Sequence, residues 1–170
     1  FPSLNLDDIA LGSFGPEDGW MDPHAILMGL RRKVAAMGAT MIRDEVLGIA
    51  CDSAGARAVA LAGGEQISAD SFVCAAGAWS RDLLASAGVA VPVAPVRRMV
   101  FYFEIRETLE RLPLTISPDG HYFRPEGAGY IAGRSIEDEP EGENLEVDYD
   151  YFDAVLWPML ATRCSAFEAL

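Results

Sequence analysis

Phe72-Val73-Cys74-Ala75-Ala76-Gly77-Ala78-Trp79-Ser80 decides how this chain is read. An apolar strand runs into Ala75-Ala76-Gly77, and Trp79 and Ser80 follow at once. Two small residues and a glycine let a backbone approach something large. Ser80 is a predicted N-cap, and Ser80-Arg81-Asp82-Leu83-Leu84-Ala85 a predicted helix. A strand that feeds a helix N-terminus through small residues is a place where phosphate groups are held. A flavin or other nucleotide is therefore the leading ligand. The plain alternative is tight packing of a strand on a helix.

Working upstream, Asp22 offers an N-cap and Pro23 a first helical position. Ala25, Ile26, Leu27, Leu30, Val34 and Met37 keep a helical period, and Gly38 ends it. Residues 40–52 read as a strand, Ser53-Ala54-Gly55 turns the chain, residues 57–62 return, and Gly63-Gly64 turns it again. Residues 67–75 are the next strand. Residues 1–20 hold weak strand signals broken by Gly12, Gly15, Pro16 and Gly19.

Downstream, Gly88 ends the second helix, and Pro92 and Pro95 mark a linker. Residues 98–105 read as a strand buried on both faces. Residues 121–123 and 129–133 form a predicted hairpin. The acidic residues 136–146, with Glu137-Asp138-Glu139-Pro140-Glu141-Gly142-Glu143 at their centre, read as a solvated loop. Residues 149–167 return to helical spacing through Phe152, Val155, Leu156 and Leu160, with a kink expected at Pro158.

The bulk numbers are those of a globular chain: 170 residues, 51% hydrophobic and 23% charged. A net charge of -13, from 26 acids against 13 bases, argues against nucleic acid or an anionic membrane as partner. No apolar run reaches the roughly 18 residues a spanning helix needs. Cys51, Cys74 and Cys164 are odd in number and widely spaced, which fits reduced thiols and a cytoplasmic location. Cys74 reads as a small core residue. His24 and His121 have no ligand spacing around them, so no metal site is expected.

Several stretches taken in order resemble one family. Gly19-Trp20-Met21-Asp22-Pro23-His24 with Leu27 and Leu30, and Ala36-Met37-Gly38-Ala39, are similar to the middle of the D-amino-acid oxidase, glycine oxidase and sarcosine oxidase group. The stretch from Gln66 through Ser80 resembles its second flavin-contacting strand. Gly88-Val89 and Pro92-Val93-Ala94-Pro95-Val96-Arg97-Arg98 follow in the family's order, and Tyr122-Phe123-Arg124-Pro125-Glu126-Gly127 and Tyr130-Ile131-Ala132-Gly133-Arg134 resemble its substrate-domain strands. The family's opening Gly-x-Gly-x-x-Gly loop and its C-terminal glycine-rich segment are absent, so the chain reads as the middle of a longer enzyme.

The resemblance implies an α+β fold: a mixed β-sheet with helices, made of part of a flavin-binding domain (residues 20–92) and part of a substrate domain (1–19 and 93–170). It implies FAD in the parent protein, beside Ala75, Ala76 and Gly77, with Trp79 covering the site and the Val46 backbone on the adenine. On the substrate side it brings forward Arg97, Tyr122, Arg124 and above all Arg134, since a carboxylate suits a planar guanidinium. No catalytic acid–base pair stands out, as befits chemistry carried by a cofactor. The implied activity is oxidation of the C–N bond of an amino acid or secondary amine. The rival is a non-catalytic module that binds a small metabolite or a protein. This chain alone is expected to be colourless, inactive and prone to self-association through exposed strand edges.

Overall fold

The computed structural model describes residues 1–169 and resolves two units. The first comprises Pro23–Val96 and Pro140–Asn144; the second comprises Phe1–Asp22, Arg97–Glu139 and the chain from Leu145 onward. Helices combine with two antiparallel sheets, so the class is α+β. Residues 140–144, which the sequence reading grouped with the substrate-domain portion, join the first unit. Val96 and Glu141 form an antiparallel bridge there, and Gly142 N–H donates to the Pro95 carbonyl at 2.9 Å.

In the first unit Pro23 opens helix α1 (Pro23–Ala36). Two bonds close its end, Gly38 N–H to the Ala35 carbonyl at 3.0 Å and Ala39 N–H to the Val34 carbonyl at 3.1 Å. A three-stranded antiparallel meander follows: β1 (Val46–Asp52), β2 (Gly55–Leu61) and β3 (Gln66–Ser68). The predicted strand over 40–52 starts only at Val46. The Asp44 carboxylate accepts from Glu45 N–H at 2.8 Å and Gly63 N–H at 3.2 Å, which fixes the chain in a turn just before the ladder.

The expected strand over 67–75 shrinks to β3. Phe72, Cys74 and Ala76 are half-buried and alternate with exposed Val73 and Ala75, so the strand pattern is present. A strand also needs a partner, and no ladder reaches this segment among the described residues. Cys74 is accordingly half-buried rather than a core residue. The predicted Ser80 cap is also corrected. The chain is already winding as a 3-10 turn over Gly77–Trp79, and Ser80 is the first residue of α2 (Ser80–Ala85), with helical φ of -60° and no side-chain cap on that helix.

The second unit is built on a sheet of order β4-β7-β6-β5: β4 (Val100–Phe103), β5 (Thr115–Ile116), β6 (His121–Glu126) and β7 (Gly129–Arg134). The predicted hairpin is β6–β7, in register Tyr122 with Gly133 and Phe123 with Ala132. One face carries Phe101, Phe103, Phe123, Tyr130 and Ala132 into a core with Leu156, Leu160, Cys164 and Phe167. The Phe167 ring meets Phe123 and Phe103 edge-on at 5.0 and 5.2 Å. Each fully buried side chain of this size is worth about 1.5–3 kcal/mol. The expectation that β4 is buried on both faces fails: Val100 and Tyr102 are 51% and 53% exposed, because only one face is packed.

The C-terminal helix runs as α3 (Tyr149–Tyr151), a π segment (Phe152–Leu156) and α4 (Trp157–Arg163). Pro158 lies in the first turn of α4. In the widened turn before it, Trp157 N–H reaches back to the Phe152 carbonyl, and Pro158 sits where the first turn of α4 tolerates a missing N–H. Residues 1–20 form no strand. Their anchor is Arg163, a buried guanidinium that donates to the Ser117 hydroxyl at 3.1 Å, to the Asn5 carbonyl, and to both Asp8 oxygens at 2.8 and 3.0 Å. No helix among the described residues is long and apolar enough to cross a membrane.

Candidate functional site

The turn that opened the sequence reading lines a cavity of about 650 Å³ within the first unit. Its walls are Glu45, Val46 and Leu47 from the start of β1, Ala76 and Trp79 from the turn, and Asp82 and Leu83 from α2. The local sequence explains this closeness. Ser86, just past α2, accepts the Ile49 N–H of edge strand β1 at 3.0 Å and donates to the Leu83 carbonyl at 2.6 Å. That bridge holds the helix beside the strand, and the small side chain of Ala76 leaves the space open.

Of the residues expected on the cofactor side, the structure brings Val46, Ala76 and Trp79 together around this space, with Ala75 and Gly77 adjoining Ala76 in the chain. Gly77 has φ of +57°, a conformation that disfavours any side chain, and a Cβ there would meet nothing within 4 Å. Glu45, Leu47, Asp82 and Leu83 were missed. Asp82 carries a signal, an acid in the first turn of a helix that follows a small-residue turn; Glu45 and Leu47 carry only their adjacency to Val46.

The lining is chemically one-sided. Val46, Leu47, Ala76, Leu83 and the Trp79 ring offer apolar contact, and Glu45 and Asp82 offer carboxylate acceptors. No lysine or arginine lines the space. A planar base with a hydroxylated sugar suits this lining. A diphosphate, which needs cations or converging backbone N–H groups, does not.

The substrate-side candidates divide between the two faces of the sheet in the second unit. Tyr122 and Arg124 project from the face opposite the aromatic core, since Phe123 between them points inward. The Arg124 guanidinium bonds the Pro125 carbonyl at 3.0 Å and the Glu126 carboxylate, and lies 5.9 Å from the Trp20 ring centroid. Arg134 alternates to the core side and donates through Nε to the Asp119 carbonyl at 2.9 Å. Tyr122 pairs with Gly133, so Arg134 and Tyr122 do not converge on one ligand. Arg97 is spent internally: Nε and Nη2 grip both oxygens of Glu139 at 2.7 and 3.2 Å, and Nη1 reaches the Glu146 carbonyl at 3.1 Å. The Glu139 hydrogen bond raises the Arg97 pKa further.

The acidic run is thus more than a solvated loop. The Glu139 side chain is only 5% exposed. Glu141 pairs with Arg81 at 3.4 Å, and Glu143 accepts from the Trp79 indole.

His121 was read without a role. It lies 2% exposed, with Nδ1 at 2.6 Å from the Asp119 carboxylate and Nε2 without a protein partner among the described residues. Burial lowers its pKa despite Asp119, and the nearby Arg163 and Arg134 push the same way. For Asp119 burial raises the pKa, but the His121 backbone N–H and ring outweigh it, so the net direction is down.

An α+β chain with a cavity between the start of β1, a small-residue turn and α2, lined for a base and its sugar, has the makings of a flavoprotein part. The chain belongs to the FAD-dependent oxidoreductase (DAO) family, whose pattern it matches over residues 1–169. FAD is the cofactor of that family. The chain is 36% identical to FAD-dependent oxidoreductase domain-containing protein 1 of Bos taurus, across all of this chain and 42% of that protein. Glycine oxidase of Pseudomonas putida is 38% identical over 72 residues, which are 42% of this chain and 19% of that enzyme. Among solved structures, L-proline dehydrogenase from P. horikoshii superimposes with a TM-score of 0.78 at 23% identity, over 98% of this chain and 46% of that one. This last likeness is one of fold. The chain therefore spans less than half the length of these proteins.

Proposed function

We propose that this chain is part of a flavoenzyme that oxidises the C–N bond of an amino acid or secondary amine. In this reading the first unit is the inserted portion of the FAD-binding domain, and its cavity takes the adenosine end of FAD. The observation that carries it is the lining. Apolar walls and the Trp79 ring suit adenine, while Glu45 and Asp82 accept from ribose hydroxyls. These residues would hold the adenosine end alone, since none of them offers a cation to the diphosphate.

Bound flavin supplies a two-electron acceptor for the hydride on the carbon next to nitrogen, leaving an imine that water hydrolyses. The chain's own part on the substrate side is positioning. The outward face of the sheet in the second unit presents the Tyr122 hydroxyl, a donor for a substrate carboxylate, and the Arg124 guanidinium beside it. Arg134 and Arg97, on this reading, hold the fold: one ties the Asp119 loop and the other the Glu139 loop. Sarcosine, glycine, L-proline and iminodiacetate are the amines to try first, from the names of related enzymes. Three free thiols fit a reducing compartment such as the cytoplasm.

Calorimetric titration of adenosine and of FAD into the chain tests the cavity. Both are expected to bind weakly, FAD too loosely to leave the purified chain coloured, and Ala76→Leu, which fills the space, is expected to weaken both about tenfold or more, or about 1.4 kcal/mol. No binding of either ligand would return the chain to the non-catalytic reading.

A further inference from the structure

Trp79 is 59% exposed, yet it forms one wall of the cavity. An aromatic side chain so placed keeps a fixed position only if something outside the cavity holds it. What holds it lies 64 residues on. Glu143 accepts a hydrogen bond from the Trp79 indole Nε1–H, and Glu141, two residues earlier, pairs with Arg81, two residues past Trp79. Between them Gly142 N–H donates to the Pro95 carbonyl, and Glu141 bridges to Val96. Backbone and side chains thus seat one short segment at three points of the first unit, all in a register that sets Glu143 on the indole.

We propose that residues Pro140–Asn144 act as a strap that positions the Trp79 indole as a wall of the nucleotide cavity, with Glu143 as the positioning residue. The proposal rests on the reading that the cavity takes adenosine. A stacked base gains only as much as its platform is held, because an indole free to rotate must be ordered when the ligand arrives. The indole Nε1–H is a lone donor, and a carboxylate is the strong acceptor for it. The Glu143 carboxylate also brings negative charge to the Trp79 side of the cavity. Like charge there discourages a diphosphate and leaves that end to a neutral ring and its sugar.

The test uses the chain itself, labelled with 15N at its three indoles, Trp20, Trp79 and Trp157. Trp79→Phe identifies the Trp79 resonance. In Glu143→Ala that resonance is expected to move to the position of a solvent-exposed indole, while those of Trp20 and Trp157 stay. Adenosine affinity is expected to fall roughly three- to tenfold. Glu143→Gln, whose amide oxygen still accepts, is expected to restore most of both. An unmoved Trp79 resonance in Glu143→Ala overturns the strap. A moved resonance with unchanged adenosine affinity overturns its bearing on the cavity. If wild-type chain binds no adenosine, the function proposed above falls and the strap's bearing on ligand falls with it, while the indole resonance still decides the contact.

Discussion

The phenol of Tyr122 lies directly over the backbone of Gly133. A Cβ built on Gly133 would stand 2.6 Å from the Tyr122 hydroxyl oxygen and 2.9 Å from the Met99 carbonyl oxygen. The two residues are paired across β6 and β7, and Val100 flanks Gly133 from β4. The absence of a side chain at Gly133 is what lets the ring lie flat on the open face.

Gly133→Ala is therefore expected to destabilise the second unit by about 1–3 kcal/mol, the usual cost of overpacking. Thermal unfolding should show a melting temperature lower by several degrees. Tyr122→Ala should recover part of the loss in the double variant, since it removes one of the two clashing groups and leaves the Met99 carbonyl. Equal stability of Gly133→Ala and wild type would mean that both the Tyr122 ring and the Met99 backbone give way without cost.

Acid should weaken the second unit through His121. Its folded pKa lies below the ordinary value of about 6.5, because burial disfavours the imidazolium more than Asp119 favours it. A lowered histidine pKa means the folded state binds the proton less readily than the unfolded state. The stability this group contributes is complete above about pH 6.5 and is lost as pH falls through the lower, folded value. Asp119 adds a second loss in more acid solution, since its pKa is also lowered. Urea unfolding of wild type and His121→Gln at pH 7.5 and pH 5 is the check. The stability gap between the two pH values should shrink in the variant, and a gap of equal size would clear His121 of the effect.

How much of this was legible beforehand follows from what each element depends on. Helix α1 and its stop at Gly38 depend on local period and a local turn, and both were read correctly. The β6–β7 hairpin was readable for the same reason. Its register was not, and register alone decides that Tyr122 and Arg134 point to opposite faces. Residues 67–75 carried a true strand pattern, but a ladder needs a partner that local sequence does not name. Ser80 had the right chemistry for a cap one turn too late, because the small residues before it had already begun to wind. Val46, Ala76 and Trp79, which the family resemblance named, line one cavity, whereas the bond from Trp79 to Glu143 spans 64 residues and has no local signal.

Arg163 should be the residue whose loss frees the N-terminal stretch. Its guanidinium is buried and joins Ser117, Asn5 and Asp8, and its carbonyl also accepts the Asn5 N–H at 2.8 Å. Arg163→Leu keeps apolar bulk and removes every one of the guanidinium bonds, leaving the buried Ser117 hydroxyl without that donor. A loss of about 2–3 kcal/mol is expected from the hydrogen bonds. Brief proteolysis should then cut within residues 1–8 before anywhere else. Cutting at the wild-type rate would show that the segment is held by its apolar contacts instead.

The chain should self-associate, and salt should promote it. In the first unit α1 has no buried residue, so Leu27, Leu30 and Val34, with Met37 just past its end, form an apolar stripe open to water. Val73 is 92% exposed in a segment whose backbone lacks a ladder partner among the described residues. Apolar stripes and open strand backbone both gain by pairing with another copy. Opposing this is a net charge of -13, which repels like copies over distances that salt shortens to about 10 Å at 0.1 M. Repulsion is therefore strongest in dilute buffer, where an 18.3 kDa species should dominate. At 0.5 M sodium chloride and high protein concentration, sedimentation velocity should show larger species. Leu30→Glu breaks the stripe on α1 and should shift the distribution back toward 18.3 kDa without altering the melting temperature, since Leu30 is 59% exposed. A single 18.3 kDa boundary at every salt and protein concentration would mean that these surfaces do not pair.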